Sequence, residues 1–208
     1  MHKFAILADD FTGANDTGVQ LCKAGEAVRV ILQPDQLDDD DTSVVIDTES
    51  RVVTGKEAYD RVYGSIKAIE AHGGCQYVYK KVYSTLRGHL QEEIQAAIDA
   101  YAPELIIFAP AYPVQGRTVR EGRLYVHDVP LLETEIAADP RNPLTCDNVE
   151  TLLSCCLPVT AHIVIADIER DELNLSGQAY TFDTRTNSHL CKIAQAALQT
   201  GKKVLWIG

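Results

Sequence analysis

Basic residues and long apolar runs are both scarce in this sequence of 208 residues. It contains 19 lysines and arginines against 30 aspartates and glutamates, a formal net charge of −11. A field of that sign repels phosphodiester backbones and anionic membrane surfaces, so neither nucleic acid nor a membrane is predicted as a partner. The first apolar run, FAILA, is too short for the core of a signal peptide or for a membrane span, so no export is predicted.

Motifs that hold nucleotides, metals or disulfides are also missing. The sequence contains neither GxGxxG nor GxxxxGK[ST], the two commonest glycine-rich phosphate cradles. The six cysteines are scattered without a CxxC pair, and the six histidines lack the spacing of metal ligands. We therefore predict no metal site, and we interpret the cysteines as reduced core residues of a cytoplasmic protein.

What the sequence does contain is an alternation of short apolar runs with amphipathic stretches of helical period. Strands are predicted at residues 4–8, 28–32, 44–46, 77–82, 105–109, 163–166 and 204–207, and helices at 13–24, 55–72, 88–101 and 188–200. Runs that are apolar on both faces and separated by helices are typical of a parallel sheet covered on both sides. The predicted fold class is α/β, with three layers and a mainly parallel sheet that has helices on both faces. The stretch from Pro110 to Pro143 is the least regular.

Polar residues follow four of the predicted strands. The four segments are ADDFTGAND, DTESR, KKVYSTLRG and APAYPVQGR. Ligands of open parallel sheets bind outside the carboxyl ends of the strands, so these segments are expected to share one edge. They offer that edge carboxylates (Asp9, Asp10, Asp47), cations (Arg51, Lys80, Lys81, Arg87, Arg117) and hydroxyls (Thr12, Ser84, Thr85).

Each of these side chains also has a plain structural explanation. Asp10 would cap the helix that begins after it, and Arg51 would form a structural salt bridge. The functional alternative is an aspartate pair that orients a sugar hydroxyl, one of the two acting as general base, beside a helix start that attracts anions. Lys80 is interpreted as an exposed strand-edge residue, whereas Lys81 and Arg87 are predicted to bind a carboxylate or phosphate.

Four motifs resemble, in their order and spacing, the N-terminal domain of the four-carbon acid sugar kinase family. They are ADDFTGANDTG, DTESR, KKVYSTLRG and PAYPVQGRTVREGRLYV. The resemblance implies that residues 1–208 are the sugar-acid-binding α/β domain of a cytoplasmic ATP-dependent kinase for threonate, erythronate or oxo-tetronate. It implies Asp9 and Asp10 as catalytic residues and leaves open which of them is the base. The implied substrate-binding residues are Thr12, Arg51, Lys81, Ser84, Thr85, Arg87, Gly88 and Arg117.

The resemblance also implies the cofactors ATP and magnesium, bound mainly by a C-terminal ATP-binding domain. That domain is expected to be absent from this chain and to act with it in cis or in trans. Alone, the chain is expected to lack kinase activity. It departs from the family at one position, because the third motif normally reads K-K-x-D-S-T-L-R-G and Tyr83 stands in place of the aspartate. The alternative is therefore a catalytically inactive binding or regulatory paralogue, or a truncated fragment, altered at Tyr83. From the sequence alone, Tyr83→Asp is expected to strengthen acid-sugar binding.

Overall fold

The computed structural model describes residues 1–38, 40–139 and 143–208. Two compact units make up this part of the chain. Unit 1 comprises Met1–Tyr83 and Gly88–Ala102, and unit 2 comprises Ser84–Arg87 and Pro103–Gly208. Each unit holds four parallel strands together with α-helices, which confirms the predicted α/β fold class with a mainly parallel sheet and helices on both faces.

Unit 1 alternates strands with helices. Its strands are β1 (His2–Ala8), β2 (Val28–Ile31), β3 (Ser43–Asp47) and β4 (Cys75–Lys80), and its helices are α1 (Phe11–Lys23), α2 (Gly55–Ala71) and α3 (Leu90–Tyr101), with a 3-10 turn at Pro34–Gln36. The strands lie in the order β2-β3-β1-β4 and are all parallel, with Ile6 of β1 opposite Val45 and Tyr79. The carboxyl end of β1 is thus flanked by the carboxyl ends of β3 and β4.

Two of the helices of unit 1, α1 and α2, begin at polar residues whose side chains cap them. Asp10 has an extended backbone, and its carboxylate accepts a hydrogen bond of 2.7 Å from the amide of Gly13, which satisfies one of the free donors at the start of α1. Thr54 caps α2 in the same way. A Cβ at Gly18 would lie 3.4 Å from Val30, so α1 packs closely on the sheet. These contacts fix where α1 starts relative to the end of β1.

Unit 2 combines parallel strands with an antiparallel hairpin. Its strands are β5 (Leu105–Phe108), β6 (Arg117–Arg120), β7 (Arg123–Val126), β8 (Val129–Pro130), β9 (Ala161–Ile163), β10 (Ala179–Phe182) and β11 (Val204–Ile207). Its helices are α4 (Val149–Ser154), α5 (Ile165–Glu169) and α6 (Asn187–Gln199), with 3-10 turns at Pro113–Gln115, Leu131–Glu133 and Glu135–Ala138. Parallel strands follow the order β11-β5-β10-β9, and β6, β7 and β8 form a small antiparallel sheet.

Each predicted element overlaps an observed one, but one predicted strand is wrong in part and several observed elements are not predicted. The strand predicted at residues 163–166 is wrong in part, because β9 ends at Ile163 and α5 begins at Ile165. The apolar run IVIA crosses that boundary, so its periodicity carries no signal of the change. The sequence does not predict β10, the hairpin β6–β7, β8, α4 or α5. Helices α4 and α5 have only six and five residues, too few for a helical period to show in the sequence.

The hairpin lies within the stretch 110–143 that the sequence marks as irregular. Glu121 and Gly122 at its tip have φ angles of 50° and 75°, and left-handed backbone at both central positions is what a two-residue type I′ turn requires. The amide of Gly122 donates to Asp183 at 2.9 Å, which ties the turn to the end of β10. Residues 140–142 of this stretch lie outside the described residues.

Among the described helices, none combines the length and apolarity needed to cross a membrane. None of the six cysteines forms a disulfide within the described ranges. The prediction that the cysteines lie in the core is wrong, because Cys22, Cys155 and Cys191 are exposed and the other three are half-buried. Cys22 and Cys191 occupy solvent-facing positions of α1 and α6, where helical periodicity tolerates a small apolar side chain.

Candidate active site

Three adjacent strand ends of unit 1 bring polar side chains together. Asp9 follows β1, Asp47 ends β3, and Lys81 follows β4. The backbone holds these ends in register, since Lys81 donates its amide to Leu7 at 2.9 Å and Arg51 donates its amide to Asp9 at 3.3 Å. These three strand ends of unit 1 therefore share one edge of the sheet, as the sequence predicts.

Arg51 connects the two predicted catalytic carboxylates. Its Nε donates to Asp9 Oδ2 at 2.8 Å, and its Nη1 lies 2.6 Å from Asp10 Oδ2. Its Nη2 is buried and has no hydrogen-bond partner among the described residues. Burial is the largest influence on the pKa of Arg51 and acts to lower it, but the hydrogen bond to Asp9 and the charges of Asp9 and Asp10 outweigh burial and raise that pKa. Arg51 is thus a charged centre whose two Nη2 N–H groups have no partner among the described residues.

The two aspartates differ in how their oxygens are used. Asp10 accepts from the amide of Gly13 through Oδ1 and pairs with Arg51 through Oδ2, so both oxygens are occupied. Asp9 is 1% exposed and pairs with Arg51 through Oδ2, whereas its buried Oδ1 has no partner within the described part of the chain. The structural explanation of Asp10 as a helix cap is therefore correct, and Asp9 has one oxygen without a partner among the described residues.

Lys81 lies close to the start of α1. A Cβ built at Gly13 would stand 2.9 Å from Asp10 Oδ1 and 3.1 Å from Lys81 Cδ and Cε, so the absence of a side chain at Gly13 lets both groups approach the helix. The Lys81 ammonium donates to the carbonyl of Val82 at 2.8 Å. Burial lowers the pKa of Lys81, while the charges of Asp9 and Asp10 act in the opposite direction.

Asp47 adds a third carboxylate at this edge. It is 3% exposed, and one of its oxygens accepts from the amide of Glu49 at 2.9 Å. Burial raises the pKa of Asp47, with the charges of Glu49, Asp10 and Asp9 adding to the effect. Glu49 itself has a φ of 43°, which marks a strained turn directly after β3.

Lys80 does not behave as the sequence suggests. It is fully buried rather than an exposed edge residue, and its ammonium lies 2.8 Å from Glu93 Oε2 of α3. The same ammonium donates to the carbonyl of Lys81 at 2.7 Å. Both faces of a parallel sheet are covered, so the alternation of side chains along β4 carries Lys80 into the interior beneath α3.

The remaining predicted residues of unit 1 are Thr12 and Gly88. Thr12 is exposed in the first turn of α1. Gly88 has a φ of 97°, and a Cβ there would stand 3.4 Å from Arg51 Cγ, so this glycine gives Arg51 room along its stem. The ring of Tyr83 faces the same guanidinium, with 4.1 Å between the ring centroid and Arg51 Cζ.

Four predicted site residues belong to unit 2. Thr85 is 2% exposed, and its hydroxyl has no partner among the residues that the structure describes. Arg87 pairs with Asp139, and Arg117 donates to the carbonyl of Gln115. The four residues are Ser84, Thr85, Arg87 and Arg117.

A further polar cluster of unit 2 is missed by the sequence. Asp183 follows β10 and is 5% exposed, with His162 Nε2 at 3.0 Å, and His162 Nδ1 lies 2.8 Å from Thr181 Oγ1. Burial acts to raise the pKa of Asp183, but the hydrogen bonds from His162 and from the amide of Gly122 outweigh it and lower that pKa. A cavity of about 400 Å³ adjoins Asp183, a size within the range of small-ligand sites. Asp183 is missed because the sequence does not predict β10. Once β10 is recognised, Asp183 is another polar residue directly after a strand.

Comparison with known proteins agrees with this architecture. A family described as the sugar-binding N-terminal domain matches residues 4–208. The D-threonate kinase of Salmonella typhimurium is 35% identical over 216 residues, covering 99% of this chain and 51% of that protein. The 3-oxo-tetronate kinase of Escherichia coli is 30% identical over 233 residues, covering 100% of this chain and 59% of that protein.

A solved structure shows the same fold. It is a domain of unknown function from Bordetella bronchiseptica, a domain-swapped dimer with bound citrate, which superposes with a TM-score of 0.85 at 33% identity over 99% of this chain and 54% of that one. The fold is thus that of an α/β domain, and its family match is to a sugar-binding N-terminal domain. The chain belongs to the N-terminal domain family of the four-carbon acid sugar kinases. It spans about half the length of the curated relatives it matches.

Proposed function

We propose that this chain is the substrate-binding half of an ATP-dependent kinase that phosphorylates a four-carbon sugar acid of the threonate, erythronate or oxo-tetronate type. The observation that carries the proposal is the cluster of Asp9, Arg51 and Lys81 at the carboxyl ends of adjacent parallel strands. A sugar acid presents a carboxylate and several hydroxyls, and this cluster presents cations beside a carboxylate oxygen without a partner among the described residues. The names of the relatives and the citrate in the Bordetella structure support the same ligand class.

We assign the base to Asp9. A hydroxyl that attacks a phosphoryl group needs an acceptor for its proton, and positioned carboxylates serve this purpose in kinases. Asp9 Oδ1 is buried and unpartnered within the described ranges, whereas both oxygens of Asp10 are engaged, one by the start of α1 and one by Arg51. Asp10 therefore orients Arg51 and caps the helix.

The cations recognise the carboxylate of the acid. Arg51 has its buried Nη2 left for a ligand, and the three-donor ammonium of Lys81 donates to the backbone carbonyl of Val82. Charge-assisted hydrogen bonds of this kind are about twice as strong as neutral ones. The other substrate contacts implied by the resemblance, which remain part of this proposal, are Thr12, Ser84, Thr85, Arg87, Gly88 and Arg117.

The described residues of this chain do not form a recognisable binding site for ATP or magnesium. The sequence lacks both common glycine-rich phosphate cradles, and the described residues include no group of three side chains suited to a metal ion. We derive no step through either group and propose that a C-terminal ATP-binding domain supplies both, in cis or in trans. The net charge of −11 supports a small-molecule partner over nucleic acid or a membrane surface, and six cysteines without a disulfide in the described ranges support a cytoplasmic location.

The second candidate, an inactive binding or regulatory paralogue, is favoured by one observation, the bulky Tyr83 at a position where the family pattern has aspartate. Both candidates bind the acid, and phosphorylation separates them once the second half is supplied.

Calorimetric titration of the chain with D-threonate, D-erythronate and 3-oxo-tetronate tests the proposal. One acid is expected to bind, and Lys81→Met is expected to weaken it by about 1.5–3 kcal/mol, the scale of a hydrogen bond to a charged group. The matched control is Lys56→Met, because the Lys56 side chain is 85% exposed on α2 and pairs only with Asp60 among the described residues. Failure of all three acids to bind, or equal losses in both variants, would contradict the proposed site.

A further inference from the structure

Tyr83 stacks on the guanidinium that bridges the two aspartates. Its ring centroid lies 4.1 Å from Arg51 Cζ and 5.8 Å from Lys81 Nζ, so it faces both cations of the site. We infer that Tyr83 is a positioning residue that holds Arg51 for a ligand carboxylate while consuming none of its hydrogen-bond donors. This inference deepens the proposed function and rests on it for the identity of the ligand.

The contacts of Arg51 show why an aromatic partner matters. Its Nε and Nη1 are taken by Asp9 and Asp10, and its stem packs against Gly88. A guanidinium has five N–H groups in one plane, so a partner on its face restrains it without competing for those groups. Nη2 remains buried and unpartnered among the described residues. The ring thus completes the restraint of Arg51 and leaves Nη2 for the ligand.

An aspartate at this position would act differently. A carboxylate beside Arg51 and Lys81 would accept hydrogen bonds from them and add a negative charge to a cluster that already holds Asp9, Asp10 and the buried Asp47. Both effects oppose binding of an anionic ligand. The geometry therefore points to weaker acid binding in Tyr83→Asp, the reverse of what the sequence alone suggests.

The test compares Tyr83→Phe, Tyr83→Leu and Tyr83→Asp in the full chain by two measurements. The first is hydrogen exchange at the Arg51 Nε–H, observed by nitrogen-15 NMR and assigned through Arg51→Lys. The second is the Kd for the acid that the wild-type chain binds. Tyr83→Phe keeps the ring and is expected to stay within about twofold of wild type in both measurements. Tyr83→Leu is expected to speed exchange and to raise the Kd by roughly fivefold, the upper end of the scale for a cation–π contact that is not fully desolvated.

Two controls separate positioning from general loosening. Tyr125→Leu removes a comparable stack in unit 2, where Tyr125 lies 3.8 Å from Arg120 Cζ, and should leave both measurements unchanged. The Arg123 Nε–H, which is held by Asp147, serves as an internal reference whose exchange should be constant in the three Tyr83 variants.

Different outcomes would overturn the positioning role of Tyr83 and the proposed function. Unchanged exchange at Arg51 in Tyr83→Leu overturns the positioning role, whatever happens to binding. Faster exchange in Tyr83→Phe as well, or tighter acid binding in Tyr83→Asp, also overturns it. If the wild-type chain binds no sugar acid, the proposed function fails, and the exchange measurement still decides whether Tyr83 holds Arg51.

Discussion

The ammonium of Lys80 lies 2.8 Å from a carboxylate oxygen of Glu93, and the two side chains are 0% and 3% exposed. Because the same ammonium donates to the carbonyl of Lys81, the pair joins α3 to the strand end that carries a site lysine. Removing one member of a buried ion pair leaves an uncompensated charge, so Lys80→Met is expected to lower the free energy of unfolding by about 3–5 kcal/mol. Urea denaturation measures this loss.

The double variant Lys80→Met with Glu93→Leu provides the control. It removes both charges and leaves apolar side chains of similar volume, so it is expected to recover most of the lost stability. A double variant as unstable as Lys80→Met would show that the loss comes from packing and not from the stranded Glu93 carboxylate.

The contrast between Lys80 and Lys81 shows where sequence reasoning ends. The rule that polar residues follow apolar runs places Asp9 and Lys81 at the ends of β1 and β4, where the structure has them, because the rule needs only the local sequence and the parallel sheet. Which of two adjacent lysines points into the interior depends on α3, whose Glu93 lies elsewhere in the chain. The bridging of both aspartates by Arg51, 42 residues beyond Asp9, likewise depends on the register of β1 against β3.

A side chain at Gly13 is expected to destabilise the start of α1. A Cβ there would stand 2.9 Å from Asp10 Oδ1 and 3.1 Å from Lys81, so Gly13→Ala must displace the helix cap, at a cost of about 1 kcal/mol. Gly64→Ala is the matched control, because a Cβ at this position in α2 meets nothing within 4 Å. That variant should gain about 0.5–1 kcal/mol from helix propensity. Thermal unfolding of both variants measures the difference, and two variants that shift in the same direction would contradict it.

The cap at Asp10 predicts a second pair of variants. Asp10→Ala loses the acceptor for the Gly13 amide and is expected to destabilise the chain by about 1 kcal/mol. Asp10→Asn keeps a capping oxygen and is expected to retain most of that stability, although it weakens the pairing with Arg51. Equal destabilisation by alanine and asparagine, measured by urea denaturation, would assign the effect to the ion pair instead of the cap.

The charge of Asp183 is expected to make the free energy of unfolding depend on pH. Burial works against its charge, but hydrogen bonds from His162 and the amide of Gly122 lower its folded pKa below the ordinary value of 3.8. Between the folded pKa and 3.8 the unfolded chain binds more protons, so this contribution is complete above 3.8 and is lost as pH falls through the folded pKa. Urea denaturation between pH 7 and pH 2 should therefore show a smaller loss of stability in Asp183→Asn than in wild type.

Because Asp183 is only 5% exposed, the difference should persist in 0.5 M salt, where the Debye length is about 4 Å and contributions from exposed charges are screened. Parallel pH profiles for the two proteins would show that Asp183 is not held in its charged form.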